Sequence, residues 1–516
     1  MHTSITCFPT DLQLFTSQRK IRRLFQNNSV AAERTANRPW IWTGSDEYTP
    51  LNDRTDAPPL LLPTILTETR VAIVRHGQST WNAESRVQGS SDLSVLTEKG
   101  RAQAEATRAM LQKETFDRIY ASPLARARET ADIILKGGSH SGTPRYNLPV
   151  LREIDLYSFQ GLLKTEVKQM FPAQYRNWQL HPERFELEGH APVREMWHRG
   201  SLAWRSILTQ EIQEATSASA SSSTSSSIPP ATTTGVLSSA ASSAGLHNGH
   251  SSSSSSDMHS SLPPSWPHSI SSTPASQGSV EEKPRSLLVV AHNNTNQALI
   301  ATALCLPCTH FRRLLQNNAA VSHLLLKPSP WKGASPEVVL EALNQSPSGL
   351  FKQDEKIIAR VVLVAAEGAE DDAQRAAVAS VVAETQVYAL LTGPHSSSQI
   401  MAEAILKGQG NAANNCFPQS FNMQPPSIGP AYYPAQVWTD IKALSLKAGP
   451  GSSIAVIGDS FTLSAILCLS LELGLHRVSS FKISPASLTL LEFHSQQSLP
   501  SHAVVRCVNN TAHLNK

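Results

Sequence analysis

The chain has 516 residues, 16% of them charged and 6% aromatic, with a formal net charge of +3. A balance so close to neutral argues against a whole-protein binder of nucleic acid or of an anionic membrane, and six cysteines over this length make no disulfide framework. No apolar run reaches the roughly 20 residues of a membrane helix, because the best candidate, Ile454 to Leu475, carries Asp459 and Glu472.

Residues 1–69 show no sustained helical or strand period. Up to Arg38 they hold Arg19, Lys20, Arg22, Arg23, Arg34 and Arg38 against only Asp11 and Glu33. An acid-poor, Arg- and hydroxyl-rich leader has the composition of an organelle transit peptide; the plain alternative is a disordered tail. Arg70-Val-Ala-Ile-Val-Arg75 then reads as a buried parallel strand running into a loop at Gly77. Thr97 precedes a helical pattern from about Gly100 to Lys113. Ile119 to Ala121 is a second strand, followed by a helix through Ala131 and Ile134.

Between Glu214 and Glu281 the single charged residue is Asp257, and serine runs dominate. Such a segment buries too little apolar surface to offset its chain entropy, so residues 215–280 are expected to be a disordered insert. Ser286 to Ala291 is a third strand, and a helix through Ala298, Ile300 and Leu304 follows it. A milder Pro/Ser/Gly-rich stretch, 328–354, reads as a linker. Strands alternating with helices predict an α/β fold with a mostly parallel sheet.

Three strand ends carry chemistry. Arg75-His76-Gly77 ends the first, Ser122-Pro-Leu-Ala-Arg126 follows the second, and Ala291-His292-Asn293-Asn294 ends the third. Two histidines and two arginines converging at one sheet edge suit a phosphate dianion, since Arg forks match its oxygens and imidazole attacks or donates.

In order along the chain, Arg75-His76-Gly77 with Trp81-Asn82, Gly89-x-x-Asp92-x-x-x-Leu96-Thr97-x-x-Gly100, Ser122-Pro-x-x-Arg126-Ala and Leu151-Arg-Glu153-Ile resemble the histidine phosphatase superfamily in its phosphoglycerate-mutase-like branch. The resemblance covers about residues 70–204 and 285–327, and it implies a three-layer αβα fold. Glu153 to Gly161 and Val290 to Ala298 look closest to plant chloroplast phosphatases of a sugar-acid phosphate, 2-carboxy-D-arabinitol 1-phosphate. It therefore also implies a chloroplast stromal enzyme once the transit segment is removed, with the cytoplasm as the alternative.

By the same resemblance His76 is the nucleophile that becomes phosphohistidine. Arg75, Arg126 and His292 hold the equatorial oxygens, and Asn82 is a phosphate-contacting amide. Glu153 protonates the leaving alkoxide and later takes a proton from water. No metal and no cofactor are implied, and the partner is a small phosphate ester. Two departures lie on the substrate side: Asn293 stands where Gly is common, and Tyr157 stands four past the Glu where many relatives have Gly. Lys164 either meets a substrate carboxylate or is a solvated helix lysine. Related chemistries, phosphoglycerate mutase or fructose-2,6-bisphosphatase, stay open, as does a non-catalytic binding protein.

Residues 355–516 repeat the first part without its chemistry. Arg360 to Val364 aligns with Arg70 to Val74, Ala402 to Gly408 with Ala131 to Gly137, and Ser453 to Gly458 with Ser286 to Ala291. Ala366, Ser397 and Asp459 then stand opposite His76, Arg126 and His292. The reading is a tandem duplication whose second copy is degenerate, available for stabilisation, self-association or regulation. Cys305-Leu-Pro-Cys308 is either a redox pair or two ordinary small buried residues, and no second pair at metal-ligand spacing accompanies it.

Overall fold

The computed structural model describes residues 59–137, 142–222, 284–346, 350–351, 356–369, 371–410, 417–420, 432–449, 451–494 and 503–515. In chain order the first half contains β1 (Thr69–Arg75), a single helical turn α1 (Thr80–Ala83), α2 (Glu98–Leu111), β2 (Arg118–Ala121), α3 (Ala125–Leu135) and β3 (Arg145–Asn147). It continues through α4 (Lys164–Met170), α5 (Pro172–Leu180), α6 (Pro192–Ser222), β4 (Arg285–Ala291), α7 (Asn293–Ala303), β5 (Val321–Lys327) and β6 (Glu337–Gln345). The second half contains β7 (Ile357–Ala365), α8 (Asp372–Val382), β8 (Gln386–Thr392), α9 (Ser396–Gly408) and β9 (Phe417–Ser420). It ends with α10 (Tyr432–Lys447), β10 (Ser452–Gly458), α11 (Ser460–Ser470), β11 (Leu488–His494) and β12 (Ala503–Asn510).

All the strands belong to one 12-stranded sheet, ordered β3-β2-β4-β1-β5-β6-β12-β11-β7-β10-β8-β9. Read outward from the middle, the second half repeats the first strand for strand. The outer four strands of each half are parallel, and the central ones run antiparallel. The halves meet where β6 pairs antiparallel with β12 at Leu343 and Val508. The fold is an α/β sandwich duplicated in tandem.

Interior strands buried on both faces read as unbroken apolar runs, which is why β1 and β4 were visible in the sequence. Val71, Ile73, Leu287 and Val289 face one layer, while Ala72, Val74, Leu288 and Val290 face the other. The first layer is continuous across both halves: α6 (Met196, Trp204), α7 (Leu299, Ile300), α10 (Ile441) and α11 (Ile466) share one core. On the opposite face α2 and α3 cover the first half and α8 and α9 the second, as separate cores. Trp204 is fully buried and its indole N–H donates to Leu299 O at 2.8 Å, so a large side chain is packed without an unpaired donor.

Three boundaries differ from the sequence reading. Stretch 328–354 is not only a linker: it holds β6, whose Val338, Val339, Leu340 and Leu343 are buried. Pro, Ser and Gly at its flanks form the turn after β5 and hid the apolar run between them. Helix α6 continues through Ser222, into the segment expected to be without structure. Most of that insert, and residues 1–58 with the transit-peptide reading, lie outside the described residues. Leu62, assigned to the leader, is buried in the main core, and its carbonyl accepts from Ser335 Oγ at 2.8 Å.

Candidate active site

The register Arg75↔Ala291 between parallel β1 and β4 brings their carboxyl ends level. His76 and His292 are the next residues of the two strands, so they become neighbours, with ring centroids 5.1 Å apart. This is the sheet edge at which α/β folds present groups to ligands. The backbone fixes the arrangement further: His76 N–H donates to Ala291 O at 3.0 Å and Ser122 N–H to Val290 O at 2.9 Å.

The loop after His76 is tightly threaded. A Cβ on Gly77 would stand 2.2 Å from Gly100 O, and one on Gly100 would stand 2.0 Å from Gln78 O. Only two glycines let these backbones pass. His76 Nδ1 lies 2.7 Å from Gly77 O, and a carbonyl only accepts, so Nδ1 carries the proton and Nε2 keeps its lone pair. His292 Nε2 lies 2.7 Å from Ser122 Oγ, whereas its Nδ1 is buried with no hydrogen-bond partner. His76 is 2% exposed and His292 0%. Burial, and then the nearby Arg126 guanidinium, holds both imidazoles well below their ordinary pKa; Arg75 adds to the effect on each. Both are neutral at pH 7.

Arg126, in the first turn of α3, is fully buried and donates to Ser91 O at 2.7 Å and Gly89 O at 3.0 Å. Arg75 donates to Gln316 O at 2.6 Å. Burial lowers each guanidinium to about 10, partly opposed by Glu153, so both stay cationic at neutral pH. Each keeps a buried Nε with no partner. Buried orphan donors beside two cations make a site shaped for an anion.

Glu153 is buried and accepts from Ile154 N–H (2.9 Å), Asn294 N–H (3.2 Å) and Thr295 N–H (3.3 Å). It therefore sits on the amino end of α7, whose N-cap is His292. Arg199 of α6 holds the loop in place by donating to Arg152 O (3.0 Å), Glu153 O (2.6 Å) and Asp155 Oδ2 (3.1 Å).

The structure thus gathers His76, His292, Arg75, Arg126 and Glu153. Asn82 joins their edge: its Oδ1 accepts from Ser79 N–H (3.4 Å) and Asn318 Nδ2 (3.3 Å), and Asn318 also donates to His76 O (3.2 Å). Asn293 opens α7, with its carboxamide engaged by Asn294 and Gln297. Lys164 is exposed on the first turn of α4, its backbone N–H donating to Ser85 O at 3.2 Å. Tyr157 adopts φ +39°, which accounts for the place of Gly in the resembled pattern, and its hydroxyl donates to Glu195 Oε2 at 3.0 Å.

Sequence reasoning assigned no role to Ser122, Arg199 or Asn318. Ser122 was within a quoted motif, but Arg199 and Asn318 had no spacing signal. Among the described residues no group of three or more His, Cys, Asp or Glu is placed to hold a metal, and no helix is long and apolar enough to cross a membrane.

Residues 71–222 match the histidine phosphatase superfamily (branch 1). With this site at the sheet edge and a relative 30% identical across most of both chains, the chain belongs to that superfamily. Over most of its length it is similar to the 2-carboxy-D-arabinitol-1-phosphatase of Triticum aestivum, 30% identical over 88% of each chain. A probable 2-carboxy-D-arabinitol-1-phosphatase of Arabidopsis thaliana is also 30% identical, over 88% of this chain and 89% of its own. Among solved structures, a mycobacterial glucosyl-3-phosphoglycerate phosphatase aligns with 54% of this chain and 100% of its own, at 22% identity and a TM-score of 0.36.

Proposed function

We propose that the protein is a phosphomonoesterase that hydrolyses a phosphorylated sugar acid, 2-carboxy-D-arabinitol 1-phosphate, through a phosphohistidine on His76. The observation that carries the chemistry is the buried, neutral pair His76 and His292 set beside the Arg75 and Arg126 guanidiniums. His76 Nε2 attacks phosphorus as the ester P–O bond breaks, and Glu153 protonates the departing alkoxide. The Nδ1–H bond to Gly77 O supports the positive charge this leaves on the ring. Water then attacks phosphorus, the N–P bond breaks, and Glu153 takes the water proton, returning to its starting state.

Arg75, Arg126 and the free Nδ1 of His292 surround the equatorial oxygens, where fixed donors in a water-poor site stabilise the charge of the transition state. Asn82 offers its remaining amide hydrogens to the same group. Asn293 and Lys164 are the candidates for contacts with the organic part of the substrate. The sugar-acid assignment rests on the similarity to the two plant phosphatases along almost the whole chain. Removing such a phosphate would relieve inhibition of Rubisco, and the acid-poor leader supports a chloroplast stromal location, to be checked by importing a residue 1–69 fusion.

The deciding experiment is phosphate release from a panel of sugar-acid phosphates, bisphosphates and phosphoglycerates, with His76→Ala as control. The reading expects preference for 2-carboxy-D-arabinitol 1-phosphate and no turnover by His76→Ala. Equal rates across the panel would refute the substrate, and dependence on a bisphosphate primer would indicate a mutase. Full activity of His76→Ala would refute the mechanism.

A further inference from the structure

The loop 313–319 is the floor beneath the nucleophile. Gln316 O accepts from Arg75, Asn318 donates to His76 O, and Ala319 N–H donates to His76 O at 3.2 Å. Its other side rests on the second half of the chain. Leu315 N–H donates to Val505 O at 3.0 Å and Val505 N–H donates to Arg313 O at 2.7 Å.

Asn344 completes that support. It is buried on β6 with φ +56°, at a strand irregularity where non-glycine residues seldom adopt positive φ. The bend sends its carboxamide across the sheet. Oδ1 accepts from Asn317 N–H at 2.6 Å, Nδ2 donates to Arg506 O of β12 at 2.6 Å, and the backbone N–H donates to Ser322 Oγ at 2.9 Å.

Asn509 repeats this in the second half. It is buried on β12 with φ +58°; Oδ1 accepts from Ser484 N–H at 2.9 Å, Nδ2 donates to Glu341 O of β6 at 2.6 Å, and its N–H donates to Thr489 Oγ1 at 3.2 Å. Ser484 precedes β11 by the interval at which Asn317 precedes β5. The two asparagines are related by the tandem repeat, and each fastens its own loop to the opposite half. The loop under Asn509 leads to Glu367, through Ala486 N–H to Glu367 O at 3.0 Å, where no nucleophile stands.

We propose that Asn344 is a positioning residue for His76 and Arg75, and that through it the degenerate half acts on the catalytic one. This rests on the phosphohistidine reading for its kinetic consequence but not for its geometry. The test pairs Asn344→Ala with Asn509→Ala in the full chain, since both remove the same kind of joint and only one lies under the nucleophile. With p-nitrophenyl phosphate as probe, Asn344→Ala is expected to lower kcat about tenfold to hundredfold with little change in KM. Asn509→Ala is expected to keep kcat within about twofold at a comparable loss of Tm. Equal kcat losses that track Tm, or an undiminished kcat in Asn344→Ala, would overturn the proposal.

The imidazole 15N resonances of His76, assigned by their loss in His76→Ala, give a second readout that needs no turnover. Asn344→Ala should shift them and Asn509→Ala should not; the reverse, or no shift in either, refutes the positioning role. Inactivity of the unaltered protein toward every ester would refute the phosphatase reading alone.

Discussion

Ser122 Oγ stands 2.7 Å from His292 Nε2, and it also accepts from Leu124 N–H at 3.3 Å. Leu124 takes one lone pair of the hydroxyl; an anion bound at His292 Nδ1 selects the tautomer with hydrogen on Nδ1, and Ser122 then gives its own proton to Nε2. Ser122→Ala should therefore permit the wrong tautomer. We expect kcat to fall on the order of tenfold, the worth of one hydrogen bond, with KM and Tm nearly unchanged. Steady-state kinetics alongside thermal unfolding checks this.

The buried imidazoles set a pH dependence of stability. Both His76 and His292 have folded-state pKa values below the ordinary 6.5, first through burial and then through Arg126. The unfolded chain therefore binds more protons as pH drops below about 6.5. Their contribution is complete above that pH and is lost on acidification, by up to about 1.4 kcal/mol per pH unit for each ring. Urea unfolding at pH 7.5 and 5.5 should show a larger loss in the native protein than in the His76→Asn, His292→Asn double variant.

Gly77 and Gly100 allow two backbones to cross within contact distance. Gly77→Ala puts a methyl group 2.2 Å from a carbonyl oxygen that cannot swing away. A cost of about 1–3 kcal/mol is expected, together with loss of phosphate release, because the displaced residue adjoins His76. A melting curve and a phosphohistidine trap separate the two effects.

Glu492 is fully buried in the second half, hydrogen-bonded to Arg506 and, at 3.2 Å, to His494, with Arg360 Nε at 3.7 Å. Burial alone would raise its carboxyl pKa, but His494 and Arg506 outweigh this and hold it below the usual carboxylate value. The stability it provides is present above about pH 4.5 and is lost as pH falls further. Glu492→Gln leaves buried arginines without their counter-charge and should cost about 3–5 kcal/mol at pH 7, read from the urea midpoint.

How far the sequence could be read depended on whether a residue's partner lay nearby in the chain. His76 and His292 follow apolar strand runs and stand next to Gly77 and Asn293, and Arg126 comes three residues after Pro123 at the end of another such run, so period and punctuation located them. The repeat was visible because the strands of both halves carry matching apolar runs although the residues at their ends differ. Arg199 was hidden, since it meets Glu153 across 46 residues and sits mid-pattern in a helix. Asn344 was hidden for a different reason: its strand lies among Pro, Ser and Gly, whose average composition reads as linker although Val338 to Leu343 is core. Composition describes a segment well only when the segment is uniform.

The joint between Leu343 and Val508 has a consequence for how the protein behaves on dilution. Two separate subunits meeting strand to strand would come apart below their dissociation constant, and the loop beneath His76 would lose its support with them. Here one polypeptide carries both sides, so their effective concentration is set by the tether and not by how much protein is present. Specific activity should accordingly stay constant down to the lowest assayable concentration, with the supporting half always in place.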